Sequence, residues 1–342
     1  MKVLCLWYAT DTEISLIKEV LPPGTEVVAP RGEYLSRFDC DYSDVKHLAT
    51  DADAIIAFSV PEGILQVAEK LKVFSWLHSG VDDLGLMGAL DLFKQRGVKL
   101  ANIRGANAVA VAEQAMMFVL ALAKKTLLKH RATEEGRFLF PLYDDEYRSA
   151  MLHGRTIGVI GIGNIGGRIA KHAKGFDMQV LGVRRTKGGP AVEFFDAVHG
   201  VDELHHVLPK CDYVVLATPD TKETHQFFGA AELAAMKRSA FLINISRGML
   251  IQEKPLYEAL TAGTLRGFAT DVWWQYNYGQ TFPIGWGSRL GIHKLTNVIV
   301  SNDQAANADD VLERNIRWGS QNLAEFVSGT PMRREVRLDL GY

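Results

Sequence analysis

Three glycines within the run GIGNIG, residues 161–166, are the residues whose type and spacing point most directly to chemistry. The run follows the apolar segment TIGVI and precedes the helical stretch GGRIAKHAKGF. In such a unit Gly161 permits the tight turn, Gly163 lets the backbone approach a pyrophosphate, and Gly166 lets helix and strand pack closely, while the helix N-terminus favours phosphate charge. A glycine-rich turn without a ligand is the alternative, and the joint occurrence of strand, motif and helix argues against it. We predict that a dinucleotide is bound by Gly161, Gly163, Asn164, Ile165 and Gly166.

The end of the next apolar run, LGVRRT, indicates which dinucleotide is bound. About 20 residues after the first glycine, an NAD-binding unit presents an acidic side chain to the ribose hydroxyls. Arg184 and Arg185 stand there instead. A guanidinium cannot accept a hydrogen bond from a hydroxyl, but it pairs well with a 2'-phosphate, so we predict NADP(H), with NAD(H) as the less favoured cofactor. The alternative is that both arginines are simply solvated at a strand end.

Alternating apolar runs and helical segments predict the elements that position these residues. In the first hundred residues the strand candidates are VLCLWY, TEVVA, ADAIIAFSV, KVFSW and VKLAN. A second series begins near Arg155, with TIGVIGI, MQVLGV, YVVLATP, AFLINIS, FATDVWW and NVIVS. A long connecting helix is predicted from Ala106 to Lys125 and an amphipathic helix from Asp309 to Val327. This alternation is typical of an α/β protein with parallel sheets.

Composition places the chain among ordinary globular proteins. At 342 residues it exceeds the size at which one core usually keeps growing, so we expect two domains. The formal net charge of -2 gives no electrostatic reason to expect nucleic acid or an anionic membrane as partner. The three cysteines lie far apart, and the short apolar run at the N-terminus does not resemble a signal peptide, so we expect a reducing, cytoplasmic location. No apolar run approaches the roughly 20 residues of a membrane span.

Several ordered motifs extend beyond the nucleotide site to nearly the whole chain. They are SWLHSGVDDL at 75–84, NAVAVAEQ at 107–114, LHGRTIGVIGIGNIGGRIA at 152–170, ATPDTKETHQFF at 217–228, INISRGMLI at 243–251, GFATDVWW at 267–274 and NVIVS at 297–301. In this set the chain resembles the D-isomer-specific 2-hydroxyacid dehydrogenases, in particular the glyoxylate and hydroxypyruvate reductase branches. Together these motifs are far more specific than a single glycine motif.

The resemblance implies an architecture and partners. It implies two Rossmann-like or flavodoxin-like, doubly wound parallel-sheet domains with a cleft between them. The substrate domain would comprise residues 1–104 and 306–342, and the NAD(P)-binding domain residues 105–305. Catalysis is expected in the cleft. The resemblance also implies a small carboxylate as substrate and a homodimer formed through the cofactor domains.

The resemblance implies roles for individual residues as well. Ser79 and Gly80 match the loop whose backbone amides hold a substrate carboxylate, and Asn107 matches a position near the substrate. Arg247 matches the arginine that grips the carboxylate and the 2-keto oxygen, which suits a planar, permanently charged guanidinium. Asp271 matches the residue that binds the nicotinamide amide; a cap or turn role is its structural alternative, as a surface ion pair is for Arg247. The wall under the nicotinamide and its ribose would consist of Pro219, Thr221, Ile245 and Ser246.

Two positions depart from the family's pattern, and both belong to its proton relay. Tyr276 stands where the family has a glutamate, or a glutamine in formate dehydrogenases, and Asp303 stands where it has a histidine. Histidine has a pKa of about 6.5 and an ordinary aspartate about 3.9, a difference worth about 3.5 kcal/mol near neutrality. Burial would raise the aspartate's pKa, and a nearby Arg247 would lower it. His78, beside the carboxylate loop, and Tyr276 are further candidates for the proton-bearing group, although a histidine in such a loop is more often structural.

Two further segments could carry chemistry of their own. The stretch 275–290, QYNYGQTFPIGWGSRL, is predicted to be a loop near the cleft mouth. It could form a lid or a partner surface, or it could only pack against the protein. His199, His205 and His206 lie close in sequence, but no cysteine or regular ligand spacing accompanies them, so we predict no metal site.

These observations predict an oxidoreductase that transfers hydride between NAD(P) and a small 2-keto or 2-hydroxy acid, with a non-standard acid–base group. The predicted catalytic residues are Arg247, Asp303, Tyr276 and His78. Two alternatives stay open: a divergent reaction on an unusual carboxylate substrate, and a catalytically weak nucleotide-binding sensor or scaffold.

Overall fold

The computed structural model describes residues 1–34, 36–137, 145, 147–275 and 287–340. These residues divide into two units. The first unit contains residues 1–107 and 307–340, and the second contains residues 108–275 and 287–306. Tyr276, one of the candidate catalytic residues, and most of the 275–290 loop lie outside the described residues.

The apolar runs of the sequence form strands. In the first unit these are β1 (Lys2–Cys5), β2 (Glu26–Val28), β3 (Ala54–Ala57), β4 (Val73–Trp76) and β5 (Lys99–Ala101). In the second unit they are β6 (Thr156–Ile160), β7 (Gln179–Arg184), β8 (Ala197–Gly200), β9 (Tyr213–Leu216), β10 (Phe241–Asn244), β11 (Gly267–Thr270) and β12 (Val298–Val300). Central strands such as AIIA and YVVL are buried at every residue, because helices cover both faces of a parallel sheet.

Helices connect the strands. They are α1 (Asp11–Val20), α2 (Tyr42–Ala49), α3 (Ile64–Val67), α4 (Asp82–Leu86), α5 (Ala89–Arg96), α6 (Ala108–Lys124), α7 (Thr126–Glu134), α8 (Asn164–Lys174), α9 (Leu204–Val207), α10 (Ala230–Ala235), α11 (Glu253–Thr261) and α12 (Val311–Val327). Short 3-10 turns occur at Val201–Glu203, Leu208–Lys210, Gly248–Leu250 and Ile292–Lys294. Among the described residues, no helix combines the length and apolarity needed to cross a membrane.

The strand order places a topological switch point in each sheet. The first sheet has the order β2-β1-β3-β4-β5 and the second β12-β11-β10-β9-β6-β7-β8, with parallel pairing throughout. In the second sheet the chain moves outward from β6 through β7 to β8 and then returns to the other side of β6 at β9. Ligands of such sheets bind outside the carboxyl ends of the strands at this point. The prediction of two doubly wound, parallel-sheet α/β domains is confirmed.

Strand β8 is the one that the sequence pattern did not predict. Three of its four residues, AVHG, are only partly buried, and His199 interrupts the apolar run. The strand lies at the edge of the sheet and pairs with β7 alone. An edge strand needs fewer apolar side chains than a central one, so its pattern is weaker.

Helix α12 closes the first unit by packing against β4 and α1. The hydroxyl of the buried Ser75 in β4 donates to the Gly319 carbonyl of α12 at 2.9 Å. A Cβ on Gly319 would lie 2.3 Å from Leu77 Cδ2 and 3.0 Å from Ile56 Cδ1. The missing side chain is therefore what allows the helix to approach the sheet this closely.

Gly319→Ala is expected to destabilise the protein by roughly 1–3 kcal/mol, because the added methyl group overpacks the contact between α12 and β4. Gly167→Ala in α8 is the matched control, since no described atom lies within 4 Å of its Cβ position. That change should stabilise by roughly 0.5–1 kcal/mol through the lower backbone entropy of alanine in the unfolded chain. Urea unfolding without nucleotide measures both, and a Gly319→Ala protein as stable as the wild type would contradict the close packing.

Candidate functional site

The turn after β6 approaches the neighbouring strand β9 too closely for any side chain. Gly161 has a φ of +103°, and a Cβ there would lie 2.5 Å from the carbonyl oxygen of Ala217. Its N–H donates to the Val183 carbonyl at 2.8 Å, which ties the turn to β7 as well. Both the space and the backbone conformation at position 161 therefore require glycine.

The N-terminus of α8 begins directly after this turn. No described atom lies within 4 Å of a Cβ built on Gly163, the N-cap residue, and no described side chain caps the helix end. The first N–H groups of a helix have no partner within it, so they are available to an anion. Gly166 faces the turn, because its Cβ would lie 2.0 Å from the Gly161 carbonyl oxygen. The structure thus brings the predicted pyrophosphate-binding residues together in one turn and helix end, with Asn164 exposed and Ile165 half-buried.

Arg184 lies at the end of β7 with its guanidinium against the following loop. A Cβ on Gly189 would lie 2.6 Å from Nη2 of Arg184. The Nε atom of Arg184 is buried and has no hydrogen-bond partner among the described residues. A buried donor without a partner costs roughly 1–3 kcal/mol, so its presence fits an anionic ligand that supplies the acceptor. Arg185 differs, because it is exposed and its Nη2 lies 3.9 Å from a carboxylate oxygen of Glu223.

Side-chain contacts join the exits of β9 and β10. The Ser246 hydroxyl donates to the Thr218 carbonyl. Thr224 Oγ1 donates to the Pro219 carbonyl at 2.7 Å and accepts from the Thr221 N–H at 2.8 Å, which fixes the loop after β9. The residues predicted to form the nicotinamide wall therefore lie on two adjoining strand ends, and they are Pro219, Thr221, Ile245 and Ser246.

Sequence reasoning missed Thr218. Its Oγ1 atom is buried and has no hydrogen-bond partner among the described residues. The Thr218 backbone nitrogen also lies 2.9 Å from the Cβ position of Gly161. In the sequence, the available signal was a threonine at the end of an apolar run. Because its backbone lies beside the glycine turn, we include Thr218 among the candidate nucleotide-binding residues.

Arg247 follows β10, where the buried Asn244 holds its backbone. Asn244 Nδ2 donates to the Arg247 carbonyl at 2.8 Å, and Asn244 Oδ1 accepts from the Ser246 N–H at 3.1 Å. Gly248 leaves no room for a side chain, since a Cβ would lie 2.0 Å from the Trp273 carbonyl oxygen. The half-buried Arg247 donates from Nη1 to the Ser246 carbonyl at 2.9 Å. These contacts fix the backbone from which the guanidinium and its five donors extend.

The Asp271 carboxylate accepts several hydrogen bonds from the loop that follows β12. The Ser301 hydroxyl donates to Oδ1, as does the Gln304 N–H at 3.0 Å, and the Ala305 N–H donates to Oδ2 at 2.9 Å. Gln114 of α6, which the sequence did not single out, donates from Nε2 to Ser301 Oγ at 3.1 Å. Burial raises the pKa of Asp271, against the hydrogen bonds from the 301–305 loop, which lower it. The structure thus gives Asp271 the role of a turn residue, and binding of the nicotinamide amide stays a prediction.

Asp303 occupies a left-handed backbone position in this loop. Its φ is +52°, and its N–H donates to the Asp271 carbonyl at 2.8 Å. Its side chain is exposed. Aspartate and asparagine tolerate this conformation better than most residues do. The backbone therefore provides a reason for an aspartate at position 303 that is independent of catalysis.

In the first unit, the loop after β4 brings the predicted carboxylate-binding residues together. Asn102 Nδ2 donates to the Ser79 carbonyl at 2.7 Å, and Trp76 Nε1 donates to the Gly80 carbonyl at 3.0 Å. Ser79 Oγ donates to Asn107 Oδ1 at 3.1 Å. Because the C=O and N–H of a trans peptide point in opposite directions, these bonds turn the Gly80 N–H and the next N–H away from Asn102 and Trp76. Neither N–H donates to another described residue, so both suit a carboxylate.

Phe58 and Trp76 position the ring of His78. Its Nε2 atom lies 2.7 Å from the Phe58 carbonyl oxygen, and its ring centroid lies 4.6 Å from that of Trp76. A carbonyl only accepts, so Nε2 carries a hydrogen and Nδ1 is the basic atom of the neutral ring. A role for His78 in proton transfer, which would use Nδ1, stays a prediction.

Two of the three clustered histidines lie beside different carboxylates. His199 Nδ1 lies 3.6 Å from a Glu203 carboxylate oxygen, and His205 Nε2 lies 3.0 Å from one of Glu232. Across the described ranges, no three histidine, cysteine, aspartate or glutamate side chains are grouped to hold a metal ion.

Known proteins share both the nucleotide-binding sequence and the fold. The family profile described as D-isomer specific 2-hydroxyacid dehydrogenase, NAD binding domain, matches residues 116–302. A glyoxylate reductase of Korarchaeum cryptofilum is 29% identical over 322 residues, which cover 93% of this chain and 87% of that protein. A D-isomer specific 2-hydroxyacid dehydrogenase family protein of Aeromonas salmonicida aligns with a TM-score of 0.80 at 26% identity, over 99% of each chain. An acyclic imino acid reductase solved with NADPH and D-Arg aligns with a TM-score of 0.77 over 98% of this chain and 100% of that one; at 23% identity this likeness concerns the fold alone.

Asp271→Ala is expected to destabilise the protein by about 2–4 kcal/mol at acid pH, because the Gln304 and Ala305 N–H groups lose their acceptor. The pKa of Asp271 is raised in the folded protein, so its stabilising contribution is complete below the unfolded pKa and declines as pH rises through the folded pKa. The difference in unfolding free energy between wild type and variant should therefore narrow as the pH rises above about 4, the ordinary pKa of aspartate. Urea unfolding above and below this pH measures it, with Asp309→Ala, at an exposed aspartate, as the control, and a difference that widens with pH would contradict the assignment.

Proposed function

Because the chain belongs to the D-isomer specific 2-hydroxyacid dehydrogenase family, we propose that it transfers hydride between a nicotinamide cofactor and the second carbon of a small 2-keto or 2-hydroxy acid. The observation that carries the proposal is the uncapped N-terminus of α8 above the Gly161 turn, at the switch point of the second sheet. Arg247 follows β10, two strands away from β6 in the same sheet. When bound, the cofactor supplies or accepts the hydride at its nicotinamide ring.

The nucleotide would be held by the residues of the second sheet's carboxyl edge. Gly161, Gly163 and the first N–H groups of α8 would bind the pyrophosphate. The buried Nε of Arg184 favours a 2'-phosphate, hence NADP(H), with NAD(H) as the alternative. Asp271 would meet the nicotinamide amide. The wall beside the nicotinamide would consist of Pro219, Thr221, Ile245 and Ser246.

We propose that two sets of hydrogen-bond donors hold the substrate. We propose that residues 1–104 and 306–342 form the substrate domain and residues 105–305 the cofactor domain. The N–H groups of the Ser79–Gly80 loop would bind the substrate carboxylate, with Asn107 beside them. The Arg247 guanidinium would bind the carboxylate and the 2-keto oxygen, where negative charge develops as hydride arrives.

Reduction of a ketone also needs a proton for the carbonyl oxygen, and position 303 carries no histidine. His78 uses Nε2 for the Phe58 carbonyl, so only its Nδ1 could exchange a proton. Asp303 is exposed, and its left-handed backbone accounts for an aspartate there without a catalytic role. Tyr276 has a phenolic O–H that can donate. These properties favour a reductase whose proton comes from a group other than a histidine at position 303.

Reduction of an imine, formed from a 2-keto acid and an amine, is a second candidate function that the same replacement favours. A protonated imine already carries the proton that a ketone must acquire, so hydride addition completes its reduction without an acid. A carboxylate such as Asp303 would attract the cationic carbon–nitrogen bond, whereas a protonated histidine would repel it. The imino acid reductase of the same fold only suggests which substrates to test.

We further propose a homodimer formed through the cofactor domains. Met117 of α6 and Leu127 and Leu128 of α7 are 43%, 40% and 36% exposed. Exposed apolar side chains are typical of protein–protein contacts where they cluster, and Leu127 and Leu128 are adjacent in sequence. A second copy of the chain would cover them.

Arg184→Ala is expected to weaken NADPH binding by about 10- to 100-fold, because a charge-assisted hydrogen bond is worth about 1.5–3 kcal/mol, while NADH binding changes little. Arg238→Ala is the control: this exposed arginine precedes β10, at the opposite edge of the parallel sheet from the Gly161 turn, so its loss should change either affinity by less than about threefold. Fluorescence titration of the two nucleotides measures the effect. Equal weakening of NADPH and NADH by Arg184→Ala would refute the 2'-phosphate assignment.

The reaction is tested by following NADPH oxidation with glyoxylate or hydroxypyruvate, and with glyoxylate plus methylamine as an imine source. We expect turnover with the keto acids; turnover that requires the amine identifies imine reduction instead. Asp303→Asn, which keeps a residue suited to the left-handed turn, should lower imine turnover roughly 10- to 100-fold and leave ketone reduction nearly unchanged. Tight NADPH binding without turnover on any of these substrates would refute both reactions and favour a nucleotide-binding sensor or scaffold.

A further inference from the structure

The segment after α12 returns to the edge strand of the first sheet. Glu335 forms an antiparallel bridge with Ala101 of β5. The Asn102 N–H donates to the Arg334 carbonyl at 3.2 Å, and Val336 is buried. Arg334 is therefore held beside the residue that follows β5.

Arg334 is a buried charge whose hydrogen-bond acceptors are neutral amides. It is 9% exposed, and its guanidinium lies 4.2 Å from the centroid of the Trp318 ring. Nη1 donates to Asn322 Oδ1 at 2.9 Å and Nη2 donates to Gln321 Oε1 at 3.1 Å. Burial lowers the pKa of Arg334, since amides compensate a desolvated charge less well than carboxylates do. An apolar side chain would fill this position at lower cost, which points to an orienting role for the guanidinium.

The guanidinium determines the orientation of Asn322. An arginine can only donate, so the amide oxygen of Asn322 must face Arg334 and the amide nitrogen must face the other way. Asn322 is completely buried, and its Nδ2 donates to the Asn102 carbonyl at 2.8 Å and to Ser75 Oγ at 3.3 Å. The direction of each bond follows from the one before it.

Asn102, whose backbone carbonyl accepts from Asn322, contacts the carboxylate loop through its side chain. It is 2% exposed, its Oδ1 accepts from the Arg104 N–H at 3.2 Å, and its Nδ2 donates to the Ser79 carbonyl at 2.7 Å. These two hydrogen bonds fix which end of the Asn102 amide is the oxygen and which is the nitrogen. Because the Ser79 carbonyl and the Gly80 N–H belong to one peptide plane, a bond to the first sets the direction of the second.

We propose that Arg334, Asn322 and Asn102 are positioning residues that hold the Ser79–Gly80 loop in its carboxylate-binding conformation. The chain of hydrogen bonds runs from the last segment of the first unit to the N–H groups that face the substrate. The inference rests on the proposed function for what the loop binds, and on the network alone for how the loop is held.

Asn322→Asp is the sharpest test. A carboxylate still accepts from Arg334 but cannot donate to the Asn102 carbonyl, so the link to the loop is cut while the buried charge gains a better partner. We expect the KM for glyoxylate and the dissociation constant of oxalate, a non-reducible dicarboxylate, to rise about tenfold, the effect of one well-placed hydrogen bond. The kcat and the NADPH dissociation constant should change less than the KM. Amide hydrogen exchange in residues 77–84 should become faster.

Variants at Arg334 keep the inference testable if Asn322→Asp does not fold. Arg334→Gln should raise the KM and speed exchange in residues 77–84, and Arg334→Lys, which can still donate to Asn322, should recover part of both. Arg333→Ala is the control, because this neighbouring arginine is exposed and pairs with Glu325 at 2.5 Å. It should leave the KM, oxalate binding and exchange unchanged.

Folded Asn322→Asp or Arg334→Gln proteins with unchanged KM, oxalate binding and amide exchange would overturn the inference. Faster exchange throughout the first unit, and not selectively in residues 77–84, would overturn it too, since that indicates general destabilisation. A wild type that reduces neither keto acids nor imines refutes the proposed function separately. In that case amide exchange, which needs no substrate, still decides whether the network positions the loop.

Discussion

The contact between the Gly161 turn and the backbone of Ala217 is the constraint on which the nucleotide-binding unit depends. Strands β6 and β9 are neighbours in the sheet, but their chains leave it towards different elements. The two exits can touch only because position 161 has no side chain. Helix α8 then starts immediately beside the switch point, and Gly166 brings its first turn against the same glycine. A larger residue at either position would move the helix end, and with it every N–H group that an anion could use.

Buried polar side chains at strand ends perform a second, recurrent task. Asn244 is the last residue of β10, Asp271 follows β11 and Asn102 follows β5, and all three are at most 4% exposed. Each binds backbone groups of a loop that leaves the sheet. A strand that ends inside a protein leaves backbone donors and acceptors in need of partners, and these side chains supply them. The same kind of contact, from a buried polar side chain at a strand end to a loop backbone, therefore orders the loops that carry Arg247, Asp303 and the Ser79–Gly80 peptides.

The sequence predicted best what is local. The glycine turn, the position of Arg184 and the strands of both sheets follow from neighbouring residues, because tight turns and buried strands leave patterns within a few positions. Edge strand β8 was missed because its partial burial leaves no such pattern. The link from Arg334 through Asn322 to Asn102 could not be predicted, since 220 positions separate the two asparagines and each resembles an ordinary surface residue in sequence. From the sequence, Asp303 could be described only as a replacement of the family's histidine. Its left-handed backbone, which is visible only in the structure, gives a conformational reason for an aspartate there.

The first unit is assembled from residues that are synthesised far apart in time. Ser75 and Gly319 share a hydrogen bond across 244 positions. At synthesis rates of roughly 5–20 residues per second, the first sheet waits on the order of ten seconds or more for α12 to leave the ribosome. During that interval the apolar surface around Leu77 and Ile56 is uncovered and the Asn102 carbonyl lacks its donor. The newly made first sheet therefore leaves apolar surface uncovered until synthesis is nearly complete, whereas the second sheet is built almost entirely from one continuous stretch.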